Sequence, residues 1–259
     1  ARAAVMGFAA QASFPVRYEV QPKKNISLTR NRTVALAQGD WLAFLDDDER
    51  VEADWLRLLL DAANVHQADG VLAPIISQPP PDAPDWILKG DFYSRARART
   101  GSVVPSTQMR MGNVLLRGSL VRAEPGPFDP ALGLTGGEDA DMLTRLVARG
   151  ARLIWCDEAV ATEPVERSRL SLKWLLLRSL RGGQDYAVQW RKGRHGSTAW
   201  YFRVWFIARA AIQLLIAASL VVLLAAAGRH HSVRWLQKAC SNAGKLSALM
   251  GWHYREYDV

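Results

Sequence analysis

Asp46, Asp47, Asp48 and Glu49 stand in one unbroken run directly after the apolar segment Trp41 to Leu45. Carboxylates at the carboxyl end of a sheet strand lie where open α/β sheets bind their ligands. Alternate acids, here Asp46 and Asp48, can hold a hard divalent cation that in turn bridges a diphosphate. The same run would also serve as a solvated turn ahead of a helix beginning near Glu52, since carboxylates are favourable at helix N-termini. A second acidic group, Glu138, Asp139 and Asp141, follows Gly136-Gly137 where a glycine-rich loop enters a helix. A carboxylate there is held by a rigid helix start and still faces an open loop, which suits a general base. N-capping by Glu138 or Asp139 is the plainer use. Together the two groups supply a cation position and a base, as transfer from a phosphate leaving group requires.

The elements that must position these acids follow from hydrophobic period. Ala1 to Phe14 reads as a helix, and Val16 to Val20 alternates like a strand. Asn25 to Gln38 is helical and stops at Gly39. Trp41 to Leu45 is wholly apolar, as expected of a strand buried on both faces of a parallel sheet. Glu52 to Gln67 is an amphipathic helix with Trp55, Leu56, Leu59 and Leu60 on one side, and Gly70 to Ile76 is a further apolar strand. This alternation predicts an α/β sheet with crossover helices. Ser77 to Asp85, with four prolines in nine residues, is a loop. Asn113 to Arg117 returns as a strand, and Glu124 to Gly137, with three prolines and four glycines, is a second shaped loop. Glu138 to Arg149 is a helix with Met142, Leu143, Leu146 and Val147 as its apolar stripe, and Ala151 to Trp155 is the last strand.

From Leu170 the character changes. Leucines and Trp174 alternate with Lys173, Arg178 and Arg181 in a basic amphipathic helix. Ala210 to Gly228 then runs 19 residues without a charge. At 1.5 Å per residue that is roughly 28 Å, close to the ~30 Å hydrocarbon core of a bilayer. Basic residues flank both ends, so charge asymmetry does not choose between one span and a re-entrant hairpin. Val233 to Met250 is a second, more polar helix. The chain divides accordingly into a catalytic α/β region at 1–165, a basic helical region at 166–198 and membrane-associated helices at 199–259.

Charge follows the same division. Residues 1–164 carry 18 basic and 21 acidic side chains, whereas residues 165–259 carry 15 and 4, together with six of the ten tryptophans. The net charge of +8 over 259 residues therefore belongs to the last third. That pattern suits an anionic membrane face and excludes a uniformly basic nucleic-acid-binding domain, so nucleic acid is not an expected partner. At 49% apolar and 22% charged the chain is globular, not disordered. Cys156 and Cys240 stand far apart, without the spacing of a zinc or redox pair.

In this order and spacing, Thr29-Arg30-Asn31, Gly39-Asp40-Trp41, Phe44 to Asp48, Gly112-Asn113, Phe128-Asp129 and Gly136-Gly137-Glu138-Asp139 resemble the family 2 glycosyltransferases of GT-A fold. The sequence is most similar to bacterial exopolysaccharide transferases of the succinoglycan-biosynthesis type, in which a Trp- and Leu-rich basic helix and a segment like Gly182-Gly183-Gln184 follow the catalytic part. The resemblance implies a GT-A mixed sheet with crossover helices and an inverting transfer from a nucleotide-diphosphate sugar, UDP-sugars first, to a glycan acceptor on a lipid. It places Asp46 near the ribose and Asp48 on Mn²⁺ or Mg²⁺, with Asp47 between them as a further nucleotide-sugar-binding residue. Arg30 and Asn31 would sit beside the nucleotide and Asn113 in the donor-sugar pocket. Asp139 would be the base, with Glu138 its rival, and Arg167 and Arg169 would supplement the metal on the diphosphate. It also implies an inner (cytoplasmic) membrane location with the catalytic part facing the cytoplasm.

Two departures accompany the resemblance. Its members begin with a strand-helix-strand portion that this sequence is expected to lack, and many carry a histidine ligand where Glu163-Pro164 stands. None of the five histidines offers an obvious substitute; His195, for one, falls in a basic loop. Trp86, Phe92 and Tyr93, in the loop from Ser77 to Gln108, are candidates for stacking on an acceptor sugar, or for plain packing. Two other readings compete. An aspartyl-phosphate phosphatase would use Asp46-x-Asp48 but wants Thr or Val where Arg50 stands, and an inactive fragment or membrane-bound scaffold would have the same fold without turnover.

Overall fold

The computed structural model describes residues 2–134, 136–193 and 199–254, so His195 lies outside the described residues. Helix α1 (Arg2–Ala9) is followed by irregular chain through Val16 to Val20. The alternation there predicts a strand, but a strand exists only through pairing, and this segment pairs with none among the described residues. Helix α2 (Ile26–Leu36) starts where the Asn25 side chain accepts a hydrogen bond from the Leu28 N–H, filling one of the vacant positions of the first turn.

The central sheet has the order β1 (Trp41–Phe44), β5 (Val114–Arg117), β3 (Gly70–Leu72), β6 (Leu153–Trp155). β5 runs antiparallel to both neighbours, and β3 and β6 are parallel. Successive residues of its inner strands face opposite layers, as a two-residue period demands. Val114, Leu116, Leu72, Leu153 and Trp155 join a core closed by Val34 of α2, Val121 of α5 (Gly118–Arg122) and Met142, Leu143 and Leu146 of α6 (Glu138–Ala148). Leu115, Val71 and Ile154 join a second core closed by Leu59, Ala62 and Ala63 of α3 (Trp55–Val65). The sheet is thus buried on both faces in a three-layer α/β arrangement, the mixed GT-A-type sheet that the resemblance implies.

β1 departs from expectation. Its apolar run predicts a central strand of a parallel sheet, yet it is an antiparallel edge strand with Ala43 exposed. Its large side chains find cover elsewhere: Leu42 enters the first core, Phe44 packs on Phe128 at 6.3 Å, and Arg117 lies 4.7 Å over Trp41. The apolar run from Gly70 to Ile76 is likewise two strands, β3 and β4 (Ile75–Gln78), broken at Pro74, which has no N–H to give a ladder. β4 joins a second sheet in the order β2 (Arg50–Val51), β7 (Ala161–Pro164), β4. β2, β7, α4 (Asp85–Gly90) and α5 are too short to leave a periodic signature in the sequence.

Among the described residues, every strand precedes residue 165. Helix α7 (Leu172–Arg191) is capped by Ser171, whose hydroxyl accepts from the Trp174 N–H. It packs along α9 (Arg229–Leu249), and α9 packs along α8 (Trp200–Leu223). The amphipathic helix expected at Leu170 therefore turns its apolar side to protein: Leu175 joins Ala83, Ile87 and Val233. A Cβ on Gly183 would run into the Ser241 carbonyl, and one on Gly244 into the Leu180 carbonyl, so α7 and α9 meet backbone to backbone. α8 begins ten residues ahead of the uncharged run and carries Arg203 and Arg209 inside it. Only 17% of its most apolar window is covered by protein.

Candidate active site

Because β5 is antiparallel to β1, its first residues lie at the end where β1 finishes: Phe44 pairs with Val114. The segment Arg110-Met111-Gly112 therefore enters between the two acidic groups. A Cβ on Gly112 would come 2.8 Å from Glu49 Oε1 and 3.5 Å from Asp46 Oδ2, and its φ of +129° is one that side-chain-bearing residues avoid. One residue earlier, the Met111 N–H donates to Asp139 Oδ2 at 3.3 Å. A single short segment thus touches both acid clusters.

A continuous cleft results. A groove of about 390 Å³ runs along β1 and α2, lined by Arg30, Val34, Leu42, Phe44 and Asp46. A cavity of about 330 Å³ holds Arg30, Asp46, Arg110, Glu138 and Asp139. Another of about 410 Å³ holds Asp46, Asp48, Phe92, Tyr93 and Arg169. Asp46 borders all three.

The two carboxylates at the start of α6 part company. Asp139 is fixed by two main-chain donors, the Ala140 N–H at 2.7 Å and the Met111 N–H. Glu138 is 4% exposed and accepts from Arg30 Nη1 at 2.6 Å. Burial pushes its carboxyl up to about 7, with the charge of Asp139 adding and Arg30 opposing. Arg30 also lies 3.8 Å from Asp46, so it links the two acid groups. Burial raises Asp46 too, opposed by Arg30 and reinforced by Asp48, Asp47 and Asp139. Glu49 folds back to accept the Asp46 N–H at 3.2 Å, and burial pushes it up to about 7.

The donor chemistry at Asp46 and Asp48 fits a hard divalent cation: hard carboxylate oxygens with more negative charge nearby than Arg30 balances. No three His, Cys, Asp or Glu side chains among the described residues converge as a ready-made cage. Two carboxylates completed by phosphate oxygens and water are the usual holding for Mg²⁺. Glu163 is buried, accepts from Arg95 Nη2 at 2.8 Å and from the Ser77 hydroxyl, and borders the cleft beside Asp46.

Other expected site residues are placed differently. Asn31 exchanges two hydrogen bonds with the Phe128 backbone, at 2.8 and 2.9 Å, and so holds the second shaped loop. Asn113 is 1% exposed; it donates to the Pro74 and Ala159 carbonyls and accepts from Trp55 Nε1. Both are used inside the protein and line none of these three compartments. Asp47 is exposed on the turn. Arg169 borders the cleft, whereas Arg167 is exposed and paired with Asp82 at 2.7 Å. Of the aromatic candidates, Phe92 and Tyr93 border the cleft, with the Tyr93 hydroxyl donating to the Arg169 carbonyl. Trp86 packs on Phe92 and under Arg229. Beyond the residues to which the sequence gives roles, the cleft is bordered by Glu49, the last acid of the run, by Arg95 and Arg110, and by the polar face of α7 with Arg178, Arg181 and Asp185; the antiparallel sense of β5 brings in Arg110, and the docking of α7 brings in the last three. Burial raises Asp185 to about 6 against Arg181 and Arg178.

Comparisons with known proteins fit this geometry. The model of Glycosyl transferase family 2 matches residues 3–115, a span that includes the acid turn. The succinoglycan biosynthesis protein ExoM of Rhizobium meliloti (strain 1021) is 35% identical over 254 residues, covering 97% of this chain and 79% of that protein. Among solved structures, the mannosyltransferase PcManGT from Pyrobaculum calidifontis in complex with GDP-Man and Mn²⁺ superposes with a TM-score of 0.54 at 16% identity, over 96% of this chain and 74% of that one. S. aureus TarS 1–349 in complex with UDP-GlcNAc gives a TM-score of 0.49 at 15% identity, over 98% and 80%. The solved mannosyltransferase shares the fold, the identity to a succinoglycan biosynthesis protein extends over nearly the whole sequence, and the chain belongs to the family 2 glycosyltransferases.

Proposed function

We propose that this chain transfers a sugar from a nucleotide-diphosphate sugar to a glycan acceptor carried on a lipid, with inversion at the anomeric carbon, in the synthesis of a bacterial surface polysaccharide. The observation that carries this reading is the pose of Asp139. Two N–H donors fix its carboxylate across the cleft from the Asp46–Asp48 turn, in a compartment that also contains Arg30 and Arg110. In this role Asp139 takes the proton of an acceptor hydroxyl while that oxygen bonds to C1 of the sugar. The C1–O bond to the diphosphate breaks on the opposite face, and the nucleoside diphosphate leaves.

Asp46 and Asp48 would hold Mn²⁺ or Mg²⁺, with Asp48 the principal ligand. When bound, the cation supplies charge neutralisation to the departing diphosphate. Arg30 keeps Glu138 and Asp46 in register, and the groove along β1 and α2 is the space for the nucleotide. Asn31 and Asn113 act behind this surface, holding the Phe128 loop and joining Trp55 to the two sheets. The lipid-facing role falls to α8, whose exposed stripe includes Trp205, Ile212, Leu215 and Ile216. The three-part division at 165 and 198 and a cytoplasmic-face location at the inner membrane belong to the same proposal.

The test is transfer by the purified full chain from UDP-sugars with Mn²⁺, alongside UDP binding by calorimetry. Asp139→Asn should abolish transfer, by 10²-fold or more at the order of magnitude general-base catalysis contributes, while UDP affinity stays near wild type. Asp48→Ala should instead remove the Mn²⁺ dependence of UDP binding. Turnover retained in Asp139→Asn would defeat the assignment of the base.

A further inference from the structure

By length alone α8 could cross a bilayer, since its 24 residues reach about 36 Å. What lies beside it decides its pose. Near the end of α8, the Val221 carbonyl accepts from the Ser232 hydroxyl of α9 at 3.1 Å. Near its start, Phe206 shares a core with Ala248 of α9. The two helices therefore run side by side from Phe206 to Val221, roughly 22 Å. Between Ser232 and Ala248, α9 carries Arg234, Lys238 and Lys245. Arg234 donates to the Gly90 carbonyl of α4 at 3.0 Å, Lys238 lies 3.9 Å over the Trp235 ring, and Lys245 donates to Asn242. An upright α8 would carry α9 into the hydrocarbon, where each cation is costly. The backbone contact of Gly183 and Gly244 holds α9 to α7, so the polar cleft helix would be drawn in as well.

We propose that α8 lies flat on an anionic lipid surface, its axis in the plane of the headgroups, and neither spans nor re-enters the bilayer. The proposal rests on the lipid-facing role given to α8 above and adds its pose and the charge of the lipid. The side of α8 turned from α9 is apolar from end to end: Tyr201, Trp205, Ile212, Leu215 and Val222 are each more than half exposed. A helix apolar on one side and covered by a polar element on the other is suited to the interface. At about 100° per residue, Arg203 and Arg209 fall on opposite borders of that stripe, and both are exposed. Anionic headgroups attract both borders at once. A second copy does not match them, because pairing two stripes would bring the arginines of both chains together in a region with 15 basic and 4 acidic residues. Tyrosine and tryptophan on the stripe suit the boundary between headgroup and hydrocarbon.

Depth is measured by spin labels on the full chain bound to sealed phosphatidylglycerol vesicles. The labels stand at Trp205→Cys, Ile212→Cys and Val222→Cys, one at a time, with Cys240→Ser; Cys156 is buried and takes none. A flat helix gives three equal depths, about 5–10 Å into the boundary. Depths that change by roughly 10–15 Å from one label to the next, the rise of an upright helix, overturn the pose and leave the lipid contact standing. Arg203→Gln and Arg209→Gln should each weaken binding to phosphatidylglycerol vesicles about fivefold, the effect of one basic residue near an anionic surface, without changing binding to phosphatidylcholine vesicles. Equal wild-type affinity for the two lipids overturns the anionic preference. Failure to bind either vesicle overturns the pose and the lipid-facing reading together, and a dimer in sedimentation would then assign the stripe to a second copy. Transfer from UDP-sugars is scored separately: a chain that lies flat without turnover defeats the transferase reading and not this one.

Discussion

Glu138 and Asp139 are chemically near-identical neighbours that the helix start sends in different directions, since consecutive helical residues do not share a face. One is sealed against Arg30 and the other is held open by two N–H groups. The sealed carboxyl leaves a mark on stability. Its pKa is raised from 4.5 to about 7 by burial. The folded chain then binds more protons than the unfolded one between those values, so this group lowers stability as pH rises through that window. Glu138→Gln should flatten the slope of unfolding free energy between pH 4.5 and 7, read from urea melts at each pH. Parallel curves for the two proteins would place the raised carboxyl elsewhere. At this scale the candidate acids are legible in the sequence, because a run of four acids directly after an apolar strand stands out, although a solvated turn ahead of a helix reads the same. What Asn31 and Asn113 do is not legible. An asparagine that binds a ligand and one that binds a buried carbonyl are the same letter, and only the fold decides which is within reach.

At the scale of elements, the decisive facts are a strand direction and a helix contact. Hydrophobic period locates β1, β3, β5 and β6 to within a few residues but says nothing of which way a neighbour runs. With β5 parallel, Arg110 would sit at the far end of the sheet from Asp46; with β5 antiparallel, it lies in the cleft. The pairing of α7 with α9 is hidden for a similar reason. Gly182-Gly183-Gln184 looks like a weak point in a helix, yet Gly183 and Gly244 are where two backbones touch. Gln184 then ties down the segment from Ser247 to Tyr254, donating to the Ser247 hydroxyl and the Trp252 carbonyl and accepting from the Tyr254 N–H. Gly244→Ala separates two explanations. In a helix with no close neighbour, alanine adds up to ~1 kcal/mol of stability over glycine. Here the methyl meets the Leu180 carbonyl, so a loss of about 1–3 kcal/mol is expected, as for other overpacked sites. A more stable variant in chemical denaturation would mean that the helices do not touch there.

For the whole molecule, the basic and tryptophan-rich last third is the part whose position bears on function. α8 turns a stripe of large apolar side chains away from protein, with Trp205, Ile212, Leu215 and Ile216 each more than half exposed. Changing these four to serine should release the chain from anionic vesicles in a flotation assay while leaving its helix content intact. Vesicle binding that persists would move the membrane contact to another surface. Deleting residues 199–259 is a poorer test, because it also removes α9, which covers α7 and α4. The length and charge of this region are readable from the sequence, but its stacking is not: the apolar side of α7, amphipathic enough for a lipid surface, is taken by α4 and α9.

The clamp between α7 and α9 sets a height. One side of α7 belongs to the cleft and the other grips α9, and α9 in turn carries α8, with no linker in that path. Two helix-to-helix steps of about 8–10 Å each thus separate the reacting groups from any surface on which α8 rests. If α8 rests on a membrane, as proposed, a sugar tethered there would have to reach across this gap to meet Asp139.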